Sequence, residues 1–190
     1  QVLADFLVEL PTETITNEEP NSTWLLHVEG SSSKQGSGIG ICLTSQTNEI
    51  LEQSFRLEFH ASNNEAEYEA LVAGLRLAHG LKIRNIHAYC DSQLVSSQYC
   101  EEYEARDERM NAYLKLVQNL AQEFDCFALT RIPRSENVQA DALAALASSS
   151  DPGLKRVIPV KFIEHPSIGP PIVVNLIEGQ DGEEEEVTIQ

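Results

Sequence analysis

The chain has 190 residues, 42% of them hydrophobic, enough for one folded unit with appendages. With 30 acidic against 13 basic residues its net charge is −17, which argues against tight, charge-driven binding of a phosphate backbone. No apolar run approaches the ~18 residues needed to cross a bilayer, and no charged-then-apolar leader opens the sequence. The expectation is an intracellular protein without a membrane partner. Cys42, Cys90, Cys100 and Cys126 form no CxxC pair. Because three of them fall on or beside predicted strands, buried, reduced thiols are expected rather than zinc ligands or disulfides.

Residues 1–22 read as a polar connector containing Pro11 and Pro20. The apolar run 24–28 suits a strand buried on both faces. Residues 31–38 form a Ser/Gly-rich loop, and 39–44 resume as a second strand. A third strand over 50–59 carries Phe55, Leu57 and Phe59 in alternation. Short turns between the three imply an antiparallel meander. Ser62 is a predicted N-cap, with Glu65 completing a capping box, and the helix runs to about His79 before Gly80. Its apolar face holds Leu71, Gly74, Leu75 and Ala78. Glu67, four residues before Leu71, shares that face, while Glu65 and Glu69 are predicted to turn away from it.

From residue 86 the pattern changes to alternating strands and helices. A fourth strand spans 86–90, and a helix begins at Gln93. Met110, Tyr113, Leu114, Val117, Leu120, Ala121 and Phe124 mark an amphipathic helix after Asp107. A fifth strand over 126–132 and a final helix over 137–147 follow, and Pro152-Gly153 closes the unit. Residues 151–190 read as a tail holding one candidate short strand at 157–162. The fold expected is α/β: a five-stranded mixed sheet over 23–150, flanked by helices on both faces.

Four carboxylates stand where one local pattern hands over to another. Glu29 ends the first strand and Glu67 lies in the first turns of the first long helix. Asp91 ends the fourth strand, and Asp141 lies near the start of the last helix. A lone buried carboxylate is costly, but several converging ones can be offset by hard divalent cations. Taken singly, each also fits a surface strand end or a helix cap.

The words around them are HVEGSSSKQGSGIGICL, ASNNEAEYEALVAGLRLA, IHAYCDSQLVSSQ and IPRSENVQADALAALA. Their order and spacing resemble the ribonuclease H domain of plant gypsy-type retrotransposon polyproteins, over about residues 22–150. The leading QVLADFLVELPTE resembles the connector before that domain, and the absence of an initial methionine suits a piece of a longer precursor. The resemblance implies a ribonuclease-H-like fold that hydrolyses the RNA strand of RNA/DNA hybrids. It implies two magnesium ions, with manganese as the alternative, held by Glu29, Glu67, Asp91 and Asp141. Reverse transcriptase and integrase segments of the same polyprotein are the implied partners. Asn63, Asn64 and Gln93 match residues that approach the hybrid's minor groove, with helix capping and turn formation as the competing account.

Two departures from the family stand out. Its D-G-S word reads Glu29-Gly30-Ser31 here, so one carboxylate is longer by a methylene. That leaves a working nuclease and a catalytically impaired nucleic-acid-binding module as rival readings. The histidine found in many members ahead of the last helix is missing, and Arg131 stands ten residues before Asp141. Arg131 and Arg134 are either phosphate contacts or a solvated surface pair. The ending ENVQADALA argues against an integrase. His27, His60, His79, His87 and His165 show no metal-ligand spacing.

Overall fold

Trp24, Leu26 and Val28 are buried along one face of strand β1 (Thr23–Ser33) in the computed structural model, which describes residues 22–101, 107–148 and 159–169. Strands β2 (Gly36–Thr44) and β3 (Ile50–Leu57) continue from it as the expected antiparallel meander. The Ser/Gly stretch at 31–38 is not a loop. It is ladder on both sides of a tight turn, closing with Ser33 opposite Gly36. Gly36 there has φ +143°, a conformation that costs glycine little.

Helix α1 (Asn63–Gly80) starts with the predicted capping box between Ser62 and Glu65. Then come β4 (Asn85–Cys90), α2 (Gln93–Tyr99), α3 (Glu108–Ala121), β5 (Cys126–Arg131), a 3-10 turn at Arg134–Glu136, α4 (Val138–Ser148) and β6 (Val160–Ile163). Strand order is β5-β4-β1-β2-β3-β6, with β4 parallel to β1, β5 parallel to β4 and β6 parallel to β3. Glycines set the layers. A Cβ on Gly30 would collide with the α1 backbone at Ala66 and Glu67, and one on Gly40 with the α4 backbone at Ala140. Since Gly30 and Gly40 face opposite sides, α1 and α4 lie on opposite faces of the sheet, as predicted.

Four further expectations need correction. Glu29 does not end the first strand, because β1 runs on to Ser33 as ladder with β2 and pairs Glu29 with Gly40. Among the described residues the sheet has six strands, because Val160–Ile163, overlapping the candidate strand at 157–162, pairs with Ser54–Leu57 beyond the predicted boundary at 150. Glu69 does not turn to solvent. It is fully buried, because α1 packs on the sheet and on α3 at once, so burial is continuous from Ala66 to Leu75. Of the cysteines, Cys42 and Cys90 are buried, but Cys100 and Cys126 are exposed. Cys100 caps the C-terminus of α2, and Cys126 opens the edge strand β5. The remainder of the predicted 1–22 connector and 151–190 tail lies outside the described residues.

Candidate metal centre

The parallel pairing of β1 with β4 creates the site. His27 is opposite Tyr89, so Glu29, in the middle of β1, and Asp91, one residue past the end of β4, stand side by side. Gly30 lets α1 close against β1, which brings Glu67 alongside, with the Gly30 N–H donating to its carboxylate. Oxygens of Glu29, Glu67 and Asp91 all lie within 4.8 Å of one another. Glu29 and Glu67 are 5% and 8% exposed, so these like charges meet where water screens them poorly.

The proton affinities reflect that crowding. Burial raises Glu29 well above the usual carboxylate range, helped by the charge of Glu67, a hydrogen bond with Asp91, and the charges of Asp91 and Asp141. Burial raises Glu67 as well, followed by the charge of Asp91, while the Gly30 N–H, Glu29 and Arg134 pull it down. Burial and the same carboxylates push the Cys90 thiol up to about 12, which leaves it protonated and inert. The Oε2 atom of Glu67 is buried with no hydrogen-bond partner. An orphaned carboxylate oxygen among converging hard donors fits a divalent cation such as magnesium or manganese.

A pH dependence follows. Because the folded state raises the Glu29 and Glu67 pKa values, the stability they contribute is full below the ordinary carboxylate range. It is lost as pH rises through the raised values. In chelator, the melting temperature should therefore fall from mildly acidic to alkaline pH, and Glu29→Gln should flatten that slope. Thermal scans across pH test this; equal slopes for both proteins would contradict it.

Asp141 is near this trio but is not one of it. Its Oδ1 accepts from Arg134 Nη2 at 2.6 Å, across the 3-10 turn, while its charge still acts on Glu29. Arg131 is exposed on β5, with Nε 3.4 Å from the main-chain oxygen of Asp91. Asn63 Oδ1 accepts the Ser32 N–H, so it ties α1 to the β1–β2 hairpin, and Asn64 is exposed beside it. Gln93 is exposed in the first turn of α2, whose N-cap is Ser92. The residue that sequence reasoning missed is Asn137. It is 1% exposed, and its Nδ2 donates to the Val28 carbonyl at 2.9 Å and to Glu29 Oε2 at 3.2 Å. Asn137 thereby joins the middle of β1 to the start of the helix carrying Asp141.

Comparison with known proteins adds a family. The reverse transcriptase-like family model matches residues 27–147. Ribonuclease HI of Halobacterium salinarum is 29% identical over 138 residues, covering 70% of this chain and 69% of that protein. The crystal structure of RNase H1 from Halobacterium salinarum NRC-1 aligns with a TM-score of 0.63 at 29% identity, covering 68% of this chain and 98% of that one. LC11-RNase H1, solved in complex with an RNA/DNA hybrid, aligns with a TM-score of 0.59 at 25% identity, covering 65% and 95%. The matched span contains all four candidate carboxylates, and the chain belongs to the reverse transcriptase-like family, with a ribonuclease H-like fold.

Proposed function

We propose that this chain is a divalent-cation-dependent endonuclease that cleaves the RNA strand of RNA/DNA hybrids, working inside the cell as part of a retrotransposon polyprotein. The observation that carries this reading is the convergence of Glu29, Glu67 and Asp91, beside Asp141, in a fold whose solved relative binds a hybrid. Glu29, Glu67 and Asp91 would hold magnesium or manganese, with Asp141 as a fourth ligand. Bound there, cations would supply water activation and neutralise charge on the leaving 3′ oxygen.

The chain's own residues do the rest. Asn137 holds the Glu29 carboxylate in place, and the Gly30 N–H does so for Glu67. Arg134 would exchange Asp141 for a substrate phosphate, since a guanidinium suits either partner. This pair is exposed and screened, so the exchange costs little. Arg131 is a second phosphate contact at the rim. Asn63, Asn64 and Gln93 would face the hybrid's wide minor groove and its 2′-hydroxyls, giving recognition by shape rather than sequence. The net charge of −17 makes this binding weak and salt-sensitive unless cations are bound. Reverse transcriptase and integrase segments of the same polyprotein are the proposed partners. The rival reading, an impaired binding module with Glu29 in place of the family's aspartate, is favoured further by the engagement of Asp141 by Arg134.

A labelled RNA/DNA hybrid tests the reading. Magnesium should give cuts in the RNA strand alone, and chelator should abolish them. Binding without cleavage, in magnesium and in manganese, would establish the rival.

A further inference from the structure

Glu69 has no accessible surface, and the metal centre makes no use of it. Its Oε1 accepts from the Tyr113 hydroxyl at 2.6 Å and the Ser167 N–H at 2.8 Å, and its Oε2 accepts from the Ser167 hydroxyl at 2.6 Å. The Ser167 oxygen in turn accepts from Arg76 Nη1 at 3.3 Å. Two of the three donors thus come from one residue, 98 positions away. That residue lies beyond 147, where the family match ends. Just before it, β6 runs parallel to the outer edge of β3, and the Glu58 N–H donates to the Ile163 carbonyl at 2.9 Å. Ile163 and Ile168 rest against the core on either side of the clasp.

We infer that Glu69 and the outer edge of β3 form a peptide-docking site, occupied in cis by the chain's own residues 159–169 as a strap locked by Ser167. Strand addition to a sheet edge supplies main-chain hydrogen bonds with little choice of side chain. The clasp supplies the choice. A buried carboxylate that loses its donors bears the full cost of desolvation, so lifting the strap and hydrating Glu69 are a single event. The seated strap also covers an edge that would otherwise be open to strands of other molecules. This inference is independent of the nuclease reading, because neither Glu69 nor Ser167 belongs to the metal centre.

Hydrogen exchange on the full chain tests it, under conditions where exchange follows the opening equilibrium. The Glu58 and Ser167 amides report the strap, and amides of β1 and β2 report the rest of the sheet. Ser167→Ala should speed exchange at Glu58 roughly tenfold or more, as expected for losing a hydrogen bond to a charged group. Amides of β1 and β2 should keep their wild-type rates, and Ser167→Thr should restore Glu58. Glu69→Gln should release the strap in the same way; if that variant does not fold, the two Ser167 variants decide. Unchanged Glu58 exchange in Ser167→Ala would overturn the inference. So would equal acceleration across β1 and β2, because the strap would then not be a separable unit.

Discussion

Asp91→Asn should abolish hybrid cleavage while leaving the cation-free protein as stable as the wild type, or more stable. The two effects have one cause. Asp91 supplies negative charge to a site where Glu29 and Glu67 already hold protons more tightly than carboxylates ordinarily do. Removing that charge relieves repulsion when no cation is present. It also removes an oxygen ligand, so magnesium binds more weakly and stabilises the fold less. A Lewis-acid contribution of about 4 kcal/mol corresponds to ~10³-fold in rate, which sets the scale of the expected loss. Calorimetric titration with magnesium, beside melting curves with and without the metal, measures both sides. Unchanged magnesium affinity in Asp91→Asn would remove Asp91 from the site.

What the sequence made legible was local or periodic. The phase of α1 singles out Glu67 through its distance from Leu71, and the ends of two apolar runs mark Glu29 and Asp91. The capping box at Ser62 and Glu65 fixes where α1 begins. What stayed hidden depends on distant neighbours. Glu69 looks solvent-facing on a helix with one apolar face, but α1 has α3 and the strap on its flank, and Tyr113 and Ser167 make burial of a carboxylate tolerable. β6 overlaps the candidate strand at 157–162, but its partner, the edge of β3, is announced by no local pattern. Asn137 reads as an ordinary first residue of the last helix. Its importance comes from Val28 and Glu29, more than 100 positions earlier. Arg134 and Asp141 are seven residues apart, and only the 3-10 turn between them makes them partners.

Glu29→Asp should raise the rate of hybrid cleavage. The ribonuclease H resemblance implies aspartate here, and the β1–β4 pairing sets Glu29, in the middle of β1, beside Asp91. The extra methylene therefore pushes the Glu29 carboxylate further toward Glu67 and Asp91, into a cluster whose oxygens lie within 4.8 Å of one another. Carboxylate oxygens that would hold magnesium need close placement, and the shorter side chain would draw the Glu29 oxygens back from that crowding. A placement error near 1 Å can cost ~10²-fold, which bounds the gain. One contact opposes it: Asn137 Nδ2 bonds Glu29 Oε2 at 3.2 Å, and the aspartate would give that up. A single neutral hydrogen-bond donor is worth less than ligand geometry at the reacting centre, so the rate should rise. Fold stability should change little, since a carboxyl group stays at the same position in β1. Single-turnover cleavage by both proteins at saturating magnesium decides the matter. A slower Glu29→Asp would mean that Asn137 has fitted this site to glutamate, and background rates in both would establish the impaired module.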